Sequence, residues 1–463
     1  MTKIVVIIFS FFFTFKIKKM VKINMISRSD LLWTKDRSGE VPKVNRNYDT
    51  KYNPMAKQVE FTRAIRAAKL DRMFAKPFFG ALGGHRDTIQ SIDVDYTSLS
   101  TVVSGSIDGG MIVWDVYTKR PKFIVDAHRH SIDGLSVSPD GVACFSASRD
   151  KVVKMWDLDF TSGDYRAEPL TEYLGEFPFS SIDHHRQKPQ FATSSDVVSI
   201  WDINRTQPIQ RFSWGDDTVS SCRFNKVEPN LVACCMSDRG VFIYDTRTQA
   251  AHSKIIMEMC CTSLAWNPMD PNAFVTGSDD RNCYLFDMRV PGRPKNVFQG
   301  HVGGVTSVDF CPTGKKFAAG SLDFTIRIWD IHQTAKSNSI EMFHTKRMAK
   351  VFSLKWSPDS SFLYSGSEDA ILRIWKADAS KPIRPLRGPE RNTFNYMRSL
   401  KDKYSEFVEV KRIVKQRNTP KAIRSIQRRS QKAERRELLK ELARRRSDDI
   451  KPLAKRKVYQ YLK

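Results

Sequence analysis

An aromatic residue returns at positions 114, 156, 201, 244, 286, 329 and 375, and these intervals of 42, 45, 43, 42, 43 and 46 residues constrain the fold more than any other property of the chain. In the stretch 101–115, TVVSGSIDGGMIVWD, two short strands flank a tight turn, and Ser104, Asp108 and Trp114 stand four and then six residues apart. Related triples follow: Ser146, Asp150, Trp156; Cys234, Asp238, Tyr244; Thr276, Asp280, Phe286; Ala319, Asp323, Trp329; Ser365, Asp369, Trp375. A degenerate copy ends at Trp201. A repeat of this length, four strands long and closing on an aromatic-Asp pair, is the pattern of a β-propeller blade. Seven copies predict an all-β, seven-bladed ring over residues 76–388. Segment 76–82 is expected to become the outer strand of the last blade, which pairs the two ends of the repeat region and leaves no long sheet edge open. Segment 381–387 competes for that slot.

A turn carboxylate that accepts from a Ser or Thr hydroxyl and from an imidazole N–H would satisfy several polar groups at once, which explains the spacing. His85, His128 and His301 supply the imidazole upstream of copies one, two and six, two of them in Gly-His pairs. His, Ser or Thr, Asp and Trp at these offsets resemble the structural tetrad of WD repeats. Copy three has Asp196 five residues before Trp201, copies four and five lack the Gly-His pair, and copy seven offers His344 three residues early. Since a tetrad contributes to stability, its erosion predicts softer central blades with no loss of function. Nor are the triples catalytic triads, because the hydroxyl would lie buried in a strand with no oxyanion donors from a helix terminus.

Charge separates the chain into three parts: residues 1–80 carry +11, 81–375 carry −4 and 376–463 carry +18, for a net +25. A near-neutral ring with basic extensions points to polyanionic partners held by the tails. The apolar run from Ile4 to Phe15 is shorter than the roughly 20 residues a membrane-spanning helix needs. Lys16, Ile17, Lys18 and Lys19 follow it in place of a small-residue cleavage site. Residues 1–19 are therefore expected to be a non-native leader, with translation starting at Met20 and no membrane partner. All eight cysteines fall within repeats and read as small buried hydrophobes of a reduced intracellular protein. The chain has no Walker loop, Gly-x-Gly-x-x-Gly, Cys-x-x-Cys or His-Glu-x-x-His. No catalytic residue, metal or cofactor is expected. Neighbouring His184 and His185 should point to opposite strand faces, one imidazole in and one out, so one metal cannot readily take both.

Two short motifs close copies four and five, Tyr244-Asp245-Thr246-Arg247 and Phe286-Asp287-Met288-Arg289. Each resembles the aromatic-Asp-x-Arg box by which some WD-repeat proteins dock on the adaptor of cullin-RING ubiquitin ligases. That resemblance implies a docking role for Asp245, Arg247, Asp287 and Arg289. The plain alternative is a local ion pair worth under about 1 kcal/mol. Trp201-Asp202-Ile203-Asn204-Arg205 is a poorer match.

Residues 20–75 form a basic extension. Its run 58–73 reads as a helix whose face of Phe61, Ile65, Ala68 and Arg72 packs on the propeller rim. Residues 389–463 form a basic helical domain. An apolar stripe runs through Phe394, Met397, Leu400, Tyr404, Phe407 and Val408. Thr419-Pro420 then has the form of a helix start. The helix that follows carries Arg424, Arg428, Arg429, Lys432, Arg435, Arg436, Arg444, Arg445 and Arg446. A solvated face is the usual fate of such a charge run, but this excess suits phosphate contacts along an RNA backbone.

Taken whole, the chain resembles the Sof-type WD-repeat proteins of the small-subunit processome, also described as DDB- and cullin-associated factors. The likeness runs from Met20-Val-Lys-Ile through Arg46-Asn-Tyr-Asp, Phe74-Ala-Lys-Pro-Phe, Ile182-Asp-His-His, Trp266-Asn-Pro-Met and Phe343-His-Thr-Lys-Arg-Met to the basic tail. It implies a non-catalytic nucleolar scaffold of ribosome biogenesis, needed for pre-ribosomal RNA processing. The partners implied are pre-ribosomal RNA, the box C/D small nucleolar ribonucleoprotein and other processome proteins. The competing reading is a substrate receptor of a cullin-RING ligase.

Overall fold

The computed structural model describes residues 51–447 apart from 53, 159–167, 214–216, 249, 333–338 and 417–418. The leader 1–19, the proposed start at Met20 and the last sixteen residues, 448–463, lie outside that set.

Among the described residues, twenty-eight strands form seven four-stranded antiparallel sheets. Six take their strands in chain order, spanning 89–126, 132–174, 181–212, 219–256, 261–298 and 305–343. The seventh combines three strands of 351–376 with Phe78–Gly83, which pairs with Ile371–Lys376 and sets Leu82 opposite Leu372. The strand expected at 76–82 thus closes the ring, and 381–387 is not a strand.

Such a sheet has two apolar faces and no helix to cover either, so each blade must bury its faces against its neighbours. Second strands show the result: Thr101–Ser106, Ala143–Ser148, Leu231–Met236 and Ala273–Ser278 are buried at every residue. One hydrophobic cluster fills each seam between adjacent blades, including the last with the first, where Leu82, Ile89 and Trp114 meet Tyr364, Leu372 and Ile374. Glycine near the end of a second strand marks how close the next blade comes. A Cβ on Gly105 would lie 2.7 Å from Ile132, and one on Gly366 2.6 Å from Ile89. Blade four has Cys235 at this place, and its sulfur lies 3.1 Å from that of Cys261. All eight cysteines are free thiols, and all but Cys260 are buried.

The innermost strands carry charge toward the ring's centre. Lys355 Nζ pairs with Asp93 Oδ1 at 3.0 Å, and Arg223 pairs with Asp183 at 3.1 Å. Inner-strand carboxylates also tie blades together: Asp93 accepts from Val137 N at 2.7 Å, Asp183 from Phe224 N at 2.8 Å, and Asp309 from Trp356 N at 2.7 Å. Burial opposes the charge on Lys355, yet Asp93 and its neighbours outweigh that and hold its pKa above the ordinary value.

A separate unit is made from both extensions. Helix α1 (Ala56–Met73) packs Phe61, Ala64, Ile65 and Ala68 against Leu400 and Tyr404 of α2 (Gly388–Lys403) and its end, and Val410 of α3 (Val408–Lys415). Lys403 pairs with Glu60 at 2.8 Å, and Lys401 pairs with Asp71. The apolar face of α1 is therefore covered by α2 and α3, where the sequence reading expected the propeller rim. Helix α4 (Lys421–Ser447) groups with the propeller, and its Gln427 Nε2 donates to Gly300 O at 2.8 Å. Thr419 Oγ1 accepts from Arg424 Nε at 3.0 Å.

Removing the Asp93 carboxylate leaves Lys355 buried and unpaired, so Asp93→Ala should destabilise the ring by about 3–5 kcal/mol. Lys355→Met added to it should recover much of that loss. Urea denaturation of the single and double variants checks both, and equal stability for the two would show that the pair is not coupled.

Candidate functional site

In five of the six blades with a complete turn motif, the turn Asp accepts from the backbone N–H two residues on: Gly110 to Asp108 at 3.2 Å, Val152 to Asp150 at 3.0 Å, Gly240 to Asp238 at 2.8 Å, Asn282 to Asp280 at 2.9 Å and Thr325 to Asp323 at 3.0 Å. The residue between them adopts positive φ, as in Gly109 (+85°), Lys151 (67°), Arg239 (68°) and Arg281 (74°). An Asp that holds this turn through the backbone has a reason to recur without any histidine, as it does in copies four and five.

Around that turn the expected tetrad is complete in blade two. His128 Nδ1 meets Asp150 Oδ2 at 2.8 Å, His128 Nε2 meets Ser146 Oγ at 2.7 Å, and Trp156 Nε1 donates to the same oxygen at 2.9 Å. Blade one joins His85 Nε2 to Ser104 Oγ at 2.6 Å and Trp114 Nε1 to that oxygen at 2.7 Å, while Asp108 accepts from Ser106. The spaced hydroxyl therefore links imidazole to indole and does not reach the carboxylate. A different residue, two places before the Asp, supplies that hydroxyl in blades one and seven: Ser106 and Ser367.

Three blades improvise. In blade seven Trp375 Nε1 donates to Ser365 Oγ at 2.8 Å, but Asp369 is held by the Arg373 guanidinium, with one contact of 3.0 Å. Arg373 takes the carboxylate that the sequence reading left to His344. In blade three Trp201 Nε1 finds Thr193 Oγ1 at 2.8 Å, a partner hidden by the shortened turn. In blade six His301 Nδ1 meets Asp323 Oδ2 at 3.0 Å, but Ala319 stands where a hydroxyl belongs. His301 Nε2 and Trp329 Nε1 are both buried and unpartnered there. Burial lowers the pKa of all three tetrad histidines against the pull of their carboxylates, His85 to about 4. His184 and His185 do not divide one in, one out. His185 is buried and its Nδ1 accepts from Gln187 and Lys188 N at 3.0 and 2.8 Å, while His184, half-buried, also has an enclosed Nε2.

The Asp-x-Arg motifs lie where third strands end. Arg247 folds back on Asp245, with its backbone N 2.9 Å and its Nη2 3.3 Å from the carboxylate. Arg289 N donates to Asp287 Oδ1 at 3.1 Å. With the Asn272 amide oxygen turned toward it, the Arg289 guanidinium donates there at 2.7 and 3.2 Å. Both arginines are exposed, held in place but open to a partner.

In α4, Arg424, Arg428, Arg429, Lys432, Arg435, Arg436 and Arg444 are exposed. Arg445 and Arg446 continue the helix, with side chains outside the described set.

Fold and turn chemistry define the class: a seven-bladed WD-repeat propeller with a basic helical tail. Residues 119–157, 246–287, 292–330 and 339–376 match the WD domain, G-beta repeat, and residues 377–459 match the Sof1-like domain. The chain is 38% identical over 435 residues to a Danio rerio protein called DDB1- and CUL4-associated factor 13, covering 94% of this chain and 96% of that one. It is 39% identical to the Homo sapiens protein of the same name, covering 88% and 90%. The Dictyostelium discoideum protein of that name is 39% identical, covering 87% and 90%. The chain belongs to the Sof1-like family of WD-repeat proteins, whose propeller fold is generally a non-enzymatic scaffold.

Restoring the missing hydroxyl with Ala319→Ser gives His301 and Trp329 a shared partner and should stabilise the protein by about 1–3 kcal/mol, measured as a raised urea midpoint. Ser146→Ala should lower it by a similar amount. The tetrad imidazoles are uncharged in the folded ring and take up protons on unfolding, so stability present above about pH 6.5 should fall as the pH drops toward 4. His85→Gln should make that fall in thermal midpoint shallower; an unchanged slope would remove His85 from the account.

Proposed function

We propose that this protein is a non-catalytic nucleolar scaffold of the small-subunit processome, needed for pre-ribosomal RNA processing. It holds pre-ribosomal RNA, the box C/D small nucleolar ribonucleoprotein and processome proteins in register. The observation that carries this reading is the separation of charge between a ring at −4 and a 376–463 segment at +18, much of it exposed on one helix. Membership of the Sof1-like family supports it. A neutral ring supplies a rigid frame, and the basic tail supplies an RNA grip.

A second reading rests on a separate observation. Arg247 and Arg289 are exposed, oriented by local hydrogen bonds, and placed on adjacent blades at the same edge. The relatives' name associates them with DDB1 and CUL4. On this reading the chain is also a substrate receptor of a cullin-RING ligase.

The two readings use different residues and separate cleanly. Ultraviolet crosslinking in cells should recover pre-ribosomal or guide RNA on the full chain and lose it when 390–463 is deleted. Arg247→Ala with Arg289→Ala should leave the crosslinks intact and weaken co-purification with the ligase adaptor at least fivefold. Crosslinks that survive the deletion would defeat the scaffold reading as argued, and undiminished adaptor recovery from the double variant would defeat the docking role.

A further inference from the structure

Helix α4 sorts its charges by face. At about 100° per residue, Arg424, Arg428, Lys432 and Arg436 follow each other at four-residue intervals, with Lys421 and Arg435 on the same half. Ile423, which is buried, Gln427, which donates to Gly300 O, and Glu437 and Glu441 fall on the opposite half. The half that carries the Gly300 contact is thus apolar, amide or acidic as far as Glu441, with Arg444 breaking the pattern near the helix end, and the other half is mainly cationic. Random scatter of basic residues for solubility would not place the acids together behind the contact side.

The exposed face is also limited in what it can recognise. No residue of α4 is aromatic, and Gln427 lies off the cationic ladder, donating to Gly300 O. Single-stranded RNA is held chiefly by stacking its bases on aromatic side chains, with arginine a weaker platform, and base edges are read by arginine, amide and carboxylate groups. This face has no aromatic platform and only its arginines to stack on or read a base. It offers cations about 6 Å apart on a straight rod, about 28 Å from Lys421 to Lys440. Such a rod complements a stiff, regularly spaced phosphate array. A duplex presents one, with charge packed at about 1.7 Å per phosphate along the axis of DNA, and double-stranded RNA is recognised by shape and backbone contacts.

We infer that the outward face of α4, centred on Arg428, Lys432, Arg435 and Arg436, is a sequence-independent binding surface for double-stranded RNA. This rests on the RNA-scaffold reading and narrows it: the tail grips paired segments of a folded RNA and leaves unpaired ones free.

The test uses the full chain, a 20-base-pair RNA duplex and an unstructured 40-nucleotide uridine strand, matched in phosphate count, in fluorescence anisotropy across a salt series. The duplex should bind at least tenfold tighter at 150 mM KCl. The charge-reversed variant Arg428→Glu, Lys432→Glu, Arg435→Glu, Arg436→Glu should lose at least a hundredfold in duplex affinity and reduce the salt slope by about 4, with an unchanged thermal midpoint. Equal or tighter binding of the single strand, lost in the same variant, would overturn the duplex inference and leave the RNA-scaffold reading standing. Duplex binding untouched by the variant would overturn the assignment to α4. Binding to neither RNA would sink both.

Discussion

A four-stranded sheet with two apolar faces and no helical cover can be stable only between two others like it, and the rest of the structure follows from that requirement. Second strands are buried at every residue or at all but the first, and small residues such as Gly105 and Gly366 sit where the next blade's Ile132 and Ile89 press in. Every seam has its own apolar cluster, so a lesion in one seam exposes surface on two blades. The seam between the last blade and the first is no different in chemistry, with Leu82 and Ile89 against Leu372 and Ile374. A ring with one open seam would leave two sheet faces in water.

Periodicity made the blades legible. The aromatic residues and turn aspartates each return once per blade, and that spacing survives even where the chemistry has drifted. Chemistry within the turn was less legible, because several residue types can do the same work. Asp150 meets an imidazole and Asp369 a guanidinium, while Asp238 takes Lys254 at 3.0 Å. No single-residue pattern covers all three. Thr193 escaped notice because its turn is one residue short, and Arg373 because an arginine on a strand reads as exposed. Asp93, Asp183, Arg223, Asp309 and Lys355 share one position on their inner strands, yet differ in sign from blade to blade, so no repeat announced them. The packing of α1 against α2 and α3 joins segments more than 300 residues apart, as in Lys403 with Glu60, and local periodicity carries no trace of such a pairing.

Strand direction alternates within each blade, which places the candidate surfaces on different edges of the ring. Asp245 and Asp287 end third strands, whereas Gly300 follows a fourth strand and precedes a first. The contact between Gln427 and Gly300 therefore lies at the edge opposite the Asp-x-Arg motifs. Occupancy of one edge by RNA would not by itself block protein at the other, so scaffold and receptor roles could coexist in one molecule.

The ring is closed by its first strand, Phe78–Gly83, against one of its last, Ile371–Lys376. Roughly 290 residues separate them, which at ribosomal speeds of about 5–20 residues per second is a wait of roughly a quarter of a minute to a minute. Through that interval the nascent chain holds an unmatched strand at one end and an incomplete arc at the other. Exposed apolar faces and an unpaired strand edge make such an incomplete arc prone to aggregate until the last blade is synthesised.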